Sequence, residues 1–273
     1  MATIVLLEHQ MQGRLGLPYM AHELAKRWQE RGHRVHFHRG VSTPPPGDVA
    51  IAHLDVTVVP DSYRALERHY PRVINSRTWD IRKSAYSTVR VLRDDAWPGK
   101  VIIKSDANHA GHVDDALRRL ALAEGIATDI PERPLLDSYY LCDSIGKVPP
   151  RIWETPGVIV EKFVPETGAN GNYIRIWTFL GSRERNMLYC SDDLMIRVGN
   201  FKSRAAVEVP PEMRAWREKL GFEFGKFDYV RHEGEYILLD ANRTPGAPTD
   251  FTGNTEIVEA WDRLSLGIEE FLP

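Results

Sequence analysis

Two stretches near the C-terminus hold the side chains best suited to chemistry. Gly225-Lys226-Phe227-Asp228-Tyr229-Val230 is followed by Tyr236-Ile237-Leu238-Leu239-Asp240-Ala241-Asn242-Arg243-Thr244-Pro245-Gly246. Both read as strands, joined by the turn signal Glu233-Gly234. Residues two apart on a strand share a face, so Asp240 and Asn242 point one way while Leu239 and Ala241 face the core. Two carboxylates and a carboxamide at the ends of a hairpin are hard oxygen ligands. They suit Mg²⁺, which takes one or two carboxylates and fills its other positions with phosphate and water. A nucleoside triphosphate is the substrate this implies. The same residues would equally serve a solvated hairpin in which Asn242 opens a turn before Pro245.

The register of the hairpin separates the two readings. A plain two-residue turn at Glu233-Gly234 pairs Asp228 with Leu239 and sends Asp228 and Asp240 to opposite faces. A three-residue loop at Glu233 to Glu235 pairs Asp228 with Asp240 and Val230 with Leu238, and a bulge nearby achieves the same alignment. Metal binding requires the aligned register, which is the one expected. Opposed carboxylates repel, so Asp240→Asn is expected to leave the unliganded fold intact or slightly more stable.

Two other segments could complete a site. Lys104 ends the apolar run Val101-Ile102-Ile103 and precedes Ser105-Asp106-Ala107-Asn108-His109-Ala110-Gly111, a loop of small and polar residues able to cover phosphates. It lacks the Gly-x-x-x-x-Gly-Lys-Ser/Thr spacing of a P-loop. Val158-Ile159-Val160-Glu161-Lys162-Phe163-Val164-Pro165-Glu166 is an apolar strand that runs into acidic residues and a proline. His36 and His38 share a strand face without nearby carboxylates, which reads as a hydrated surface.

The elements that must position these residues change style along the chain. Ile4 to Leu7, an amphipathic segment from about Leu17 to Arg31, and Arg34 to His38 read β-α-β, and Asp48 to Val59 continues as a strand. Asp61 caps a short helix, and Val73-Ile74 is extended. The alternation predicts a small parallel sheet with covering helices. Arg82 to Leu92 and Asp114 to Glu124 read as helices around the strand that ends at Lys104. After Gly157 paired strands dominate, with Gly181-Ser182 as a further turn. These shifts divide the chain into lobes at 1–77, 78–157 and 158–273.

Composition bounds what the whole can be. With 273 residues, 42% hydrophobic and 27% charged, the chain is an ordinary globular protein of one large domain or a few lobes. The net charge of -3 offers no general attraction to nucleic acid or anionic membrane. No apolar run reaches the ~18 residues of a membrane helix, and the N-terminus lacks the basic start of a secretory signal. Cys142 and Cys190 are the only cysteines, too few for a disulfide framework, and a reducing cytoplasm is expected.

In combination and in order, the Lys104 strand and its loop, the Glu161 to Glu166 segment, and Asp228 spaced from Asp240 to Gly246 resemble the ATP-grasp superfamily over the whole chain. The resemblance implies an α/β ATP-grasp fold behind a small Rossmann-like N-terminal lobe, with ATP and Mg²⁺ (or Mn²⁺) as cofactors. It implies Lys104 and Lys83 on the phosphates, and adenine against the backbone of Lys162, Phe163 and Val164. Glu161 would lie near the exocyclic amine and Glu166 near the ribose. Asp228, Asp240 and Asn242 would hold the metal, and Lys226, Arg243 and Arg175 would steady the transferring phosphoryl group. Ser105 stands where relatives commonly have proline, Asp240 where most have glutamate, and Asn172 where ligases often have aspartate. The implied activity is carbon–nitrogen ligation through an acylphosphate, releasing ADP and phosphate. The implied partners are small or peptidic carboxylates and amines, with a homodimer as one arrangement. A small-molecule kinase on the same fold is the first alternative. A glycosyltransferase-like enzyme, suggested by Leu17 to Val35, and a nucleotide-binding protein without turnover are the others.

Overall fold

The computed structural model describes residues 1–136, 138–196, 199–247 and 255–273. It places thirteen strands among these residues in three sheets. The first sheet is parallel, in the order β2 (Arg34–Arg39), β1 (Thr3–Glu8), β3 (Val49–Ala52) and β4 (Val73–Ile74). Ile4 to Leu7 and Val49 to Ala52 have at most 1% of their surface exposed. That fits an unbroken apolar run in a parallel strand buried on both faces. On one face lie α1 (Met20–Glu30) and, after the intervening helices α2 (Asp61–Arg64), α3 (Lys83–Tyr86), α4 (His112–Ala123), α5 (Pro150–Glu154) and α6 (Pro211–Leu220), the C-terminal helix α7 (Thr255–Ser265). Leu117 and Ala121 of α4 cover the other face. The strand expected from Asp48 to Val59 stops at Ala52, and the chain then leaves the sheet.

The second sheet is antiparallel, in the order β6 (Tyr140–Cys142), β5 (Val101–Ser105) and β7 (Val158–Lys162). β7 therefore hydrogen-bonds with the middle lobe, although a boundary at 157 assigns it to the third. The helix expected over Arg82 to Leu92 is confined to α3. Beyond it the β-branched Val89 and Val91 run extended beside β7, where Lys162 N–H donates to Val89 O and Val91 N–H to Val160 O.

The third sheet holds β8 (Glu166–Gly168), β9 (Gly171–Leu180), β10 (Arg183–Ser191), β11 (Ser203–Ala206), β12 (Phe224–His232) and β13 (Glu235–Asn242). Its main order is β11-β10-β9-β12-β13, all antiparallel. One face packs Trp177, Phe179, Phe227 and Tyr229 against α6. Leu180 and Phe224 instead join Ile4, Leu24 and Trp28 of the first lobe with Trp261 and Leu264 of α7. The first and third lobes thus share a core, which fixes the third sheet relative to the parallel one. Both cysteines are free thiols, and no helix among the described residues is long and apolar enough to cross a membrane.

Candidate functional site

The hairpin β12–β13 adopts the aligned register by the bulge route. Its turn has two residues, Glu233 and Gly234, both at positive φ. Pairing runs His232↔Glu235 to Tyr229↔Leu238, then slips so that Asp228 faces Asp240 and Lys226 faces Asn242. Leu239 is the extra residue. The two-residue turn by itself misaligns the carboxylates, and the bulge corrects it. Leu239 at the bulge lines the cleft while packing against the buried cluster of Val89, Val164, Val230 and Ile237.

Alternation along β12 and β9 settles which side chains face that cleft. Asp228 pairs with Ile176 and Lys226 with Thr178, whereas Tyr229 pairs with Arg175. Arg175 therefore lies on the opposite face from Asp228. There it is ion-paired with Glu166 and stacked over the rings of Tyr229 and Tyr236. It does not join the carboxylates, contrary to the role the resemblance implied.

Two lysines balance the two carboxylates. Lys83 Nζ, almost fully buried, lies 3.0 Å from Asp240 Oδ1 and donates to Ala107 O at 3.0 Å. Lys226 Nζ lies 2.8 Å from Asp228 Oδ2. Burial raises the Asp228 carboxyl, with Lys226 opposing it and the charge on Asp240 adding to it, and the net direction is upward. For Asp240, burial is overcome by Lys83 and Lys226, and the net direction is downward. Burial acts to lower both ammonium groups, and the carboxylates prevail and raise them. The cluster is short of one hydrogen-bonding partner, since Asp228 Oδ1 is buried with none. An acceptor-only oxygen left unpaired beside a second carboxylate suits a divalent cation.

Asn242 does not complete that ligand set. Its Oδ1 accepts from Thr244 N–H (2.8 Å), Thr244 Oγ1 (3.1 Å) and Asn108 Nδ2 (3.4 Å). Its amide nitrogen is turned to His109 Nε2 at 3.3 Å. The backbone donor fixes the orientation of the carboxamide, so Asn242 turns its N–H to His109. Arg243 is likewise a correction. It is fully buried, with its guanidinium donating to the carbonyls of Leu54, Val56, Thr57 and Thr78. These four hydrogen bonds, made from the fixed fork of the guanidinium, make it a clamp between the end of β13 and the segments at 54–57 and Thr78.

The facing wall comes from the second sheet. Ile102 pairs with Glu161, so Lys104, two residues on, shares that face and meets Glu161 diagonally. Lys104 Nζ lies 2.6 Å from Glu161 Oε2, with both side chains buried. Glu161 is thereby the counterion of Lys104, and its Oε2, buried, has no hydrogen-bond partner of regular geometry among the described residues. At the end of β7 the Lys162 and Phe163 amides are engaged by Val89 O and Lys100 O. Lys162, Phe163, Val164 and Glu166 still line the cleft, as do Lys83, Lys104, Asp228 and Asp240. Glu166 also accepts from Arg231 N–H at 2.6 Å. The cleft measures about 460 Å³, within the range of small-molecule sites.

Tyr139 escaped the sequence reading. Its ring lines the cleft, with its centre 5.9 Å from Lys104 Nζ. Its only signal was an aromatic pair, Tyr139-Tyr140, in a loop.

Comparison with family models finds no match, and neither does comparison with curated proteins. Comparison with solved structures does find similar ones. A RimK domain ATP-grasp protein from Sphaerobacter thermophilus shares 12% identity at a TM-score of 0.51, with 99% of each chain covered. A D-alanine–D-alanine ligase from Bacillus anthracis shares 9% identity at a TM-score of 0.50, covering 99% of this chain and 97% of that one. With a lysine-bearing antiparallel sheet closing on a carboxylate-bearing one behind a parallel N-terminal sheet, this chain has the ATP-grasp fold.

Proposed function

We propose that the protein is an ATP-dependent ligase that activates a carboxylate as an acylphosphate and passes the acyl group to an amine. The observation that carries this is the pairing of Asp228 and Asp240 on one strand face, across a cleft from Lys104. An anion-rich ligand is the natural partner of two buried lysines, Lys83 and Lys104, that a protein otherwise has little reason to bury, with the partly exposed Lys226 beside them.

In this reading Lys104 and Lys83 contact the phosphates, and Lys226 faces the terminal one. The end of β7, with Phe163 and Val164, takes the base, and Glu166 lies on the ribose side. A Mg²⁺ ion held by Asp228 and Asp240 would supply charge neutralisation for the polyphosphate. A substrate carboxylate oxygen attacks the γ-phosphorus, the bond to the β-phosphate oxygen breaks, and ADP leaves. The amine then attacks the acyl carbon, the C–O bond to phosphate breaks, and phosphate departs as the nitrogen loses its proton to solvent. Lysines that trade carboxylate for phosphate partners supply the positioning and charge stabilisation, and no covalent enzyme intermediate is required.

The test is ATP turnover against pooled carboxylic acids with hydroxylamine as the trapping amine. Acid-dependent ADP release with hydroxamate formation is the expected result. A stable phosphorylated product formed without any amine identifies a kinase instead, and no nucleotide turnover with any acid refutes the proposal.

A further inference from the structure

A second polar cluster lies in the first lobe, apart from the nucleotide cleft and independent of the ligase reading. Glu8 ends β1, His53 follows directly on β3, and His22 sits in the first turn of α1. β1 and β3 are adjacent parallel strands, with Leu7 paired to Ala52 and His53 N–H donating to Leu7 O. The next residues, Glu8 and His53, are therefore side by side. The chain turns to opposite sides of β1 and β3 at this point, the place where open parallel sheets take ligands.

The ligand atoms of Glu8, His22 and His53 all lie within 4.8 Å of one another. Glu8 Oε1 is 2.5 Å from His22 Nε2 and 3.6 Å from His53 Nδ1. The orientation of His53 is set by Gln12. The Gln12 Oε1 accepts from the amides of His9 and Asp55, so its NH₂ side faces His53, donating to Nδ1 and to the His53 carbonyl. His53 Nδ1 is then a lone pair, and it shares its space with a carboxylate oxygen. Glu8 and His53 are both completely buried. Arg39 holds the other Glu8 oxygen at 2.9 Å, which leaves Oε1 alone facing the two rings.

We propose that Glu8, His22 and His53 bind a divalent cation of the zinc type. Two imidazole nitrogens and one carboxylate oxygen form a donor set for Zn²⁺ and its first-row neighbours rather than for Mg²⁺. Ligands about 2.0–2.1 Å from a tetrahedral Zn²⁺ stand roughly 3.3 Å from one another, so the Glu8–His22 contact opens and the rings draw together. His22 is the partly exposed member of the three, on the helix start, and is free to make that adjustment. Gln12 keeps the His53 carbonyl when Nδ1 turns to the metal, and water takes the fourth position. The ion ties β1, β3 and α1 together.

The full chain, stripped with chelator and free of nucleotide and Mg²⁺, is titrated with Zn²⁺ by calorimetry and with Co²⁺ by visible absorption. About one Zn²⁺ per chain is expected, with tetrahedral-type Co²⁺ bands and a higher melting temperature. His22→Ala, at a partly exposed position, should fold and weaken binding roughly tenfold or more. The Asp228→Asn variant should bind Zn²⁺ as the parent does. Absence of stoichiometric binding overturns the proposal. Binding that survives His22→Ala, or that is lost instead in a His36→Ala/His38→Ala variant of the β2 histidines, also overturns it.

Discussion

Asp228 and Asp240 face each other, yet neutralising one should not have the effect of neutralising the other. Repulsion between opposed carboxylates, considered alone, predicts that Asp240→Asn relieves strain and stabilises the unliganded protein. The structure reverses this, because Asp240 is the partner of Lys83, whose ammonium is buried and whose only other acceptor among the described residues is the Ala107 carbonyl. Removing one member of a buried ion pair costs about 3–5 kcal/mol. A quarter of the Asp240 side chain is exposed and Lys83 keeps Ala107, so the low end, about 3 kcal/mol, is expected. Asp228 is the opposite case. Burial holds its pKa above the normal value, so its charged form is disfavoured by folding. Asp228→Asn should lie within about 1 kcal/mol of the parent or above it. Urea denaturation near neutral pH, without nucleotide or divalent metal, measures both, and Lys83→Met added to Asp240→Asn should recover most of the loss. An Asp240→Asn protein as stable as the parent, or an Asp228→Asn protein the less stable of the two, refutes the assignment of Lys83 to Asp240. Both variants should lose Mg²⁺-dependent ATP turnover.

Arg243→Met should cost roughly 3–5 kcal/mol in urea melts by stranding carbonyls of Leu54, Val56, Thr57 and Thr78; a stable variant defective only in turnover would contradict the clamp. His9 is buried and its pKa is pulled down to about 4 from 6.5. The unfolded chain therefore takes up its proton first, and the stability His9 contributes is complete above pH 6.5 and disappears as pH falls toward 4. His9→Asn should flatten that limb of a stability–pH curve, and an unchanged slope would show that His9 is not kept neutral. A Cβ on Gly267 would lie 2.0 Å from the Leu180 carbonyl oxygen, so Gly267→Ala should lower the melting temperature by several degrees through displacement of α7 from the shared core.

Much of this molecule is written in local pattern. The unbroken apolar runs of β1 and β3, the period of α1, and the alternating strands after Gly157 are properties of neighbours along the chain, so sequence alone determines the order of parallel lobe, lysine strand and carboxylate hairpin. It also determines that Asp228 and Asp240 share a face only if the hairpin departs from a plain two-residue turn. The departure itself, a bulge at Leu239 rather than a longer loop, is visible only in the pairing of β13 with β12. Partnership is decided at the same level. Nothing local tells Lys104 that Glu161 is its counterion, or Lys83 that Asp240 is, since each pair is made only when separate strands and a short helix meet. Arg243 is the clearest instance. Beside Asn242 it reads as a basic residue in a site, and in the fold its guanidinium is turned into three carbonyls of the first lobe and that of Thr78. Strand alternation puts adjacent residues on opposite faces, and only the tertiary structure decides what each face meets.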